Sequence, residues 1–482
     1  MRRPPPAHVL RQVNMRAGRV GNYLLRALLL FSLALAAFSY GMATAHYRLF
    51  PYRTLCEANQ AWQALKEVCA TGQARAGAGA DAVPGDLLGT EPAARRLADD
   101  AGEEWLLVSG GPDYLRSRGF EAGCLAWLMD RRGDIQHVWR YNPGVWRDLQ
   151  HVYRLPGFST IYPVDVHLCD DGGLLVSFQG ENCFPFAVGL ARFDWDSRLL
   201  WKRELVHHWF SVDQNGRIYA PSLRVVDSPM RLRGIRPPIA SPRGKILSDT
   251  IVILSPQGDL LEEIELAPLL VDSGCVGLFH GVMADGANPL ADAITDDPIH
   301  LNDVRVVEDL GQGQPAWLAP GDLLVSMRSI NALAILDGRT RRVKWLAAGW
   351  TLRQHSPRLV QGGAVVFDNL GGGQEPAGSR IVRLDFGRQV PQTLFPLPSQ
   401  PLPTPFFTET AGHLDIHPQG RRALVALAHQ GRIWEIELAG GRLLWEYVLG
   451  EGGRNGRPKP LYTAKYVKPF FQPSPKGRRS AP

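Results

Sequence analysis

Cysteine is scarce in this chain, six in 482 residues, and no two form a Cys-x-x-Cys pair. That spacing is the usual thiolate signature of a structural zinc site, so zinc held by cysteines is not expected. Cys56 and Cys69 flank "EANQAWQALKEV", part of a stretch (52–75) that reads as helix. Across one straight helix they would lie about 20 Å apart, beyond disulfide reach. Cys169 and Cys183 flank a predicted hairpin and are the better pair; unpaired buried thiols are the equal alternative.

Acidic residues are missing from the N-terminal arm, which carries Arg2, Arg3, Arg11, Arg16, Arg19 and Arg26. Charge of either sign is missing from "ALLLFSLALAAFSYGMATA", residues 27–45. An uncharged run of roughly 20 residues suits a bilayer span. Arginines ahead of it place the N-terminus in the cytoplasm and export the rest. "ATA" at 43–45 would suit a signal peptidase; the run is long for a cleaved signal, so an uncleaved anchor is expected. The formal charge of +6 comes largely from this arm and from a basic tail with Lys476, Arg478 and Arg479. An orientation signal and a solvated tail account for it, and nucleic-acid binding is not expected.

Hydrophobic residues make up 45% and charged residues 21% of the chain, an ordinary globular balance. With Gly 50 and Pro 37 the chain should turn often. Residues 74–96 read as a linker rich in Ala, Gly and Pro. From about residue 103 one unit recurs: an apolar strand, a turn with Asp, Gly or Arg, and a second strand often ending in Trp or Leu. Its copies begin at Cys124, Gly189, Thr250, Ala332, Arg380 and Gly431. Each reads as a β-hairpin, and another strand pair precedes it. Six such units predict an all-β, six-bladed β-propeller over 103–470, whose closed ring leaves no long edge exposed. The expected organisation is a cytoplasmic basic arm (1–26), a transmembrane anchor (27–45), a helical segment and linker (46–102), the propeller, and a basic tail (471–482).

If those hairpins are the outer strands, the segments before them are the inner ones, and histidines recur there in one phase. They are His207 and His208 in "LVHHWFSVDQNGRIYA", His300 with Asn302 in "IHLNDVRVVEDL", His355 in "RQHSPRLVQGGAVVFDN", and His413 with His417 in "AGHLDIHPQGRRALVAL". In the second unit Val164 and Asp165 hold this phase, with His167 slightly later; the first, "EWLLVSGG", has no counterpart. Inner strands face the axis, so these side chains should converge at one mouth of the central channel. Arg328, in "SMRS", joins them. Imidazoles and an arginine with few carboxylates suit an oxyanion, because guanidinium donors match sulfate or phosphate oxygens. A metal is less suited: Arg328 would repel it and Asn302 is a weak ligand. No metal or other cofactor is expected.

Taken in order, "HHWFSVDQNGRIYA", "HLND", "DLLVSMRSINALAILDGRTRRVKW" and "RQHSP" resemble the bacterial arylsulfate sulfotransferases over most of 103–470. The resemblance implies a six-bladed propeller in the cell envelope, here a single-pass protein of the inner membrane with its catalytic domain in the periplasm. It implies transfer of a sulfuryl group from an aryl sulfate donor to a phenolic acceptor, without a nucleotide sulfate donor. It makes His355 the histidine that is transiently sulfated. His300 and Asn302 match a sulfate-binding His-x-Asn, Arg328 the anion-binding arginine, and His208 an upstream histidine, with His207 the alternative. His207, Asn302 and His413 are taken as substrate-binding, and a homodimer is compatible. Two departures bear on rate and substrate: Trp209 follows the histidine pair where the family usually has Asp, and Ser356 and Pro357 follow His355 in place of two small residues.

Two loops, 276–298 with His280 and the basic 228–245, read as surface loops that could shape access. The rival class is a non-catalytic envelope propeller, since "AILDGRTRRVKW" also resembles quinoprotein-like repeats; that reading leaves the four in-phase side chains unexplained. A quinone-dependent dehydrogenase would need carboxylates clustered for calcium, and the sequence has none.

Overall fold

The computed structural model describes residues 25–41, 93–110, 123–154, 160–241, 243–282, 296–308, 314–372, 378–388, 390–398, 401–449 and 460–467. The chain divides into two compact units, 1–80 and 81–482. In the first, 25–41 is a helix with apolar side chains exposed around it. No helix among the described residues is long and apolar enough to cross a membrane. The described helix is thus shorter than the expected span, whose last residues, 42–45, lie outside the description, as do the helix expected at 52–75 and the cysteines within it.

The second unit is the six-bladed propeller the hairpins imply. Six sheets of four or more antiparallel strands carry the six anticipated hairpins on their outer sides. The middle strands are wholly buried, as in Leu323–Met327 and Ala332–Leu336, because neighbouring blades cover both faces. Their Leu, Val, Ile and Ala content suits that position. The outer strands, such as Val343–Ala348, alternate part-buried and exposed residues. Apolar layers fill each of the six interfaces between blades. At one of them Trp434, Phe395 and Phe406 pack ring on ring.

Ring closure is the part the sequence pattern did not reveal. The inner strand of blade 1 is Leu461–Val467, from the far end of the domain, paired with Trp105–Gly110. Residues 93–96, within the expected linker, instead form a strand (Ala93–Arg96) on the outer edge of blade 6, so that blade has five strands. Each end of the domain is thus sewn into a blade built mainly by the other end.

The Cys169–Cys183 pairing does not occur: Cys169 and Cys183 are not joined to each other. The hairpin register explains it: Leu168 pairs with Leu174 and Thr160 with Glu181, so Cys169 sits at the turn and Cys183 beyond the open end. Burial pushes the Cys169 thiol up to about 11, which makes it unreactive at neutral pH.

Inside the ring the axis is charged. Lys465 lies 2.8 Å from Asp165, Arg305 2.6 Å and Arg358 3.3 Å from Asp303. Asp165 and Asp303 are fully buried. Blades 1, 2, 4 and 5 contribute to this ion network.

Candidate active site

At the mouth where the inner strands begin, the backbone repeatedly enters the left-handed region. His208, His300 and Ser356 have φ of 53°, 54° and 52°, and Gly412 has 96°. Register shifts follow at once, between Leu301 and Asp303 and between His355 and Arg358. A left-handed residue without glycine costs about 1–2 kcal/mol, and bulges re-aim side chains. Three strained turns in equivalent places serve to point the histidines into one space.

Hydrogen bonds between blades hold these turns. Ser177 Oγ donates to the His208 carbonyl (2.6 Å), Leu301 N to Asp249 Oδ1 (3.1 Å), and the Ser356 hydroxyl joins both polar groups of Leu414. Asn302 Nδ2 donates to the Gln354 carbonyl at 2.8 Å, which ties the His-x-Asn turn to the residue before His355. Gln354 in turn donates to Ser326, Met327 and Ala332.

The side chains converge. The rings of His208 and His300 lie 4.8 Å apart, and those of His207 and His208 5.0 Å. Arg328 N donates to the His300 carbonyl at 3.0 Å. Its guanidinium is part-buried, and the buried Nε has no partner among the described residues. Asn302 Oδ1 is likewise buried without one. Phe186 packs its ring 5.2 to 5.4 Å from His207, His208 and His300, an apolar wall to the cluster.

His355 is 2% exposed. Its Nδ1 lies 2.7 Å from Asn369 Oδ1, and the edge of Trp209 meets its ring at 5.5 Å. Burial, followed by the charge of Arg328, lowers its pKa to about 3, so the imidazole is neutral at ordinary pH. Burial and then His300 lower His207 to about 3, and burial holds His208 well below the usual imidazole range. The Nδ1 of His300 is hydrogen-bonded to the carboxylate of Asp297, whose pKa the neighbouring His300 lowers against the effect of burial.

The structure therefore brings together His207, His208, His300, Asn302, Arg328 and His355. His413 stands apart: its ring stacks on the far side of Trp209 at 6.5 Å, and its Nε2 accepts from Arg358 Nη2 at 2.8 Å, inside the axial ion network. His417 pairs with Glu104 at 2.8 Å, beyond the other end of the same strand. Asp297 and Asn369 were not singled out in the sequence. The signal for Asp297 was a carboxylate three residues before His300; Asn369 ends the quoted strand "AVVFDN", and nothing local marks it. Among the described residues no three His, Cys, Asp or Glu side chains are placed to share a metal ion. The side chain of His280 and residues 283–295 lie outside the description.

A part-buried guanidinium beside the neutral rings of His208 and His355 has the donors that suit an oxyanion. The family model described as Arylsulfotransferase (ASST) matches residues 165–450, more than half of the chain. The chain belongs to the arylsulfotransferase family. The match takes in every converging residue above, from His207 to His355. No curated protein matches significantly. Similar solved structures include Kuenenia stuttgartiensis hydrazine synthase (9% identity, 66% of this chain and 71% of that chain, TM-score 0.37). Others are the Pan2 WD40 domain of Neurospora crassa (11%, 79% and 80%, 0.32) and a functionally unknown protein from Desulfotomaculum acetoxidans (9%, 70% and 78%, 0.35). Likenesses this distant carry no argument about the site of an arylsulfotransferase.

Proposed function

We propose that this arylsulfotransferase-family protein moves a sulfuryl group from an aryl sulfate to a phenol in two half-reactions, with His355 as the carrier. The observation that carries the reading is the clustering of His208, His300 and neutral His355 about Arg328, whose buried Nε has no partner among the described residues.

In the first half-reaction a lone pair of the His355 imidazole forms a bond to sulfur. The bond from sulfur to the aryl oxygen breaks, and its electron pair leaves as phenolate. Arg328 and Asn302 hold the sulfuryl oxygens, where charge must be stabilised during transfer. His300, backed by Asp297, supplies the proton to the departing phenolate. In the second half-reaction His300 takes the proton of the incoming phenol, the phenolate oxygen attacks sulfur, and the electron pair of the N–S bond returns to His355. No nucleotide donor enters the cycle. Phe186 offers the aryl ring an apolar face beside these polar groups.

The test is release of a chromogenic phenol from its sulfate ester with and without an added phenol. His355→Ala is expected to abolish transfer, while Asn302→Ala retains part of it. Equal turnover by wild type and His355→Ala would remove the proposal and favour a propeller that binds without reacting.

A further inference from the structure

His207 and His208 meet through their Nδ1 atoms at 2.7 Å; the other two histidines of the cluster have Nδ1 engaged by different groups. On His300 the partner is the Asp297 carboxylate. On His355 it is the side-chain amide of Asn369, whose orientation the surroundings fix. Asn369 Nδ2 donates to two carbonyls, those of Thr408 at 2.9 Å and Ala411 at 2.8 Å. The amide cannot be turned over without facing its oxygen to both. The atom presented to His355 is therefore an acceptor, at 2.7 Å. An acceptor demands a proton on Nδ1. Because burial and Arg328 keep this ring neutral, it has one proton only. The lone pair is left on Nε2.

We infer that Asn369 is a positioning residue that locks His355 in the Nδ1–H tautomer, so that Nε2 is the atom that bonds to sulfur; this rests on His355 as the carrier. The partner chemistry then divides the labour. A neutral amide oxygen favours the ring's cation less than a carboxylate does, and burial and the charge of Arg328 outweigh it, so His355 stays an unprotonated nucleophile before each attack. A carboxylate on Nδ1 suits a ring that gives and takes a proton, the part His300 plays in the proposed cycle. When Nε2 bonds to sulfur the ring gains a formal positive charge, and the Nδ1–H bond to Asn369 stays intact. That charge leaves with the electron pair that returns when the N–S bond breaks. Asn369 itself is anchored outside the cluster: its carbonyl accepts from Ser379 Oγ at 2.8 Å. The lock thus links the second strand of blade 5 to the segment leading into blade 6.

The deciding experiment is long-range proton–nitrogen NMR on full-length protein with nitrogen-15 histidine, assigned by loss of one ring in His355→Ala. The expected spectrum has the His355 proton on Nδ1 before substrate, and sulfation at Nε2 after 4-nitrophenyl sulfate is added without phenol and the sample held alkaline. A proton on Nε2 in the free protein, or sulfation at Nδ1, overturns the inference. The tautomer needs no turnover, so it is read even if transfer from this ester is slow. Asn369→Asp adds a second reading: a carboxylate should raise the His355 pKa and move the acid limb of kcat/KM upward by about 1–3 pH units. Asn369→Gln should restore the wild-type limb more nearly than Asn369→Leu. An unmoved limb in a folded, active Asn369→Asp protein also counts against the lock. Full transfer by His355→Ala would instead sink the carrier role on which the inference stands, while leaving the tautomer itself intact.

Discussion

Arg328 brings a guanidinium to the histidine cluster, and after burial its charge is what lowers the His355 pKa most. Its Nε is a buried donor with no partner among the described residues, and burial lowers its own pKa. Loss of one such donor typically costs a factor of about 10²–10³ in kcat. Arg328→Ala should fall in that range, and Arg328→Lys should recover little, because an ammonium lacks the planar fork; steady-state rates with a fixed aryl sulfate decide it. Residue by residue, much of this was legible. His208, His300 and His355 announce themselves by recurring at one phase, Arg328 was read with them, and Asn302 came from the "HLND" stretch; in the structure the rings of His208 and His300 lie 4.8 Å apart and the charge of Arg328 bears on His355. His413 shared the phase yet lies beyond Trp209. Phase fixes which blade strand a residue begins but not which way a bulged backbone aims it. Asn369 and Asp297 were illegible for a different reason: each acts through a hydrogen bond to another histidine and repeats nowhere.

Among elements, the outer hairpins were readable because their turns are local. The closing strand Leu461–Val467 was not, since its partner Trp105–Gly110 lies more than three hundred residues away and no local pattern encodes so distant a pairing. The same limit hid Ala93–Arg96 inside a composition that looks like linker. Packing between elements sets its own prediction. A Cβ added at Gly189, in the third strand of blade 2, would meet the Arg203 carbonyl at 2.3 Å and the Trp146 ring at 2.5 Å. Neither can retreat, the first being backbone and the second fully packed. Overpacking of this kind costs typically 1–3 kcal/mol, so Gly189→Ala should lower the urea midpoint by about that amount with an unchanged m-value.

For the whole molecule, buried charges and buried neutral histidines set the response to pH and mutation. His207, His208, His355 and His413 all have folded pKa values below the ordinary imidazole value of about 6.5. Unfolding exposes rings that take up protons below that value, so the unfolded state binds more protons and stability falls as pH drops. The contribution is fully present above about 6.5 and is lost on the way down toward about 3, the value for His355, at up to about 1.4 kcal/mol per unit for each ring. Denaturation midpoints at pH 7.5 and pH 5.0 (about one unit either side of the unfolded histidine value) should differ clearly, and His413→Gln should reduce the difference. The axial network predicts a second loss: Asp303→Ala strands Arg305 and Arg358 in the channel, where an unpaired buried charge costs about 3–5 kcal/mol. A chemical denaturation curve measures it.

The central claim, that His355 carries the sulfuryl group, meets its most direct test in the mass of the full-length protein after mixing with an aryl sulfate in the absence of phenol and quenching in alkali. The account predicts a gain of one SO3, confined to the peptide that holds His355 and discharged when phenol is added. Transfer to phenol that proceeds with no such adduct, or an adduct that persists in His355→Ala, would contradict it.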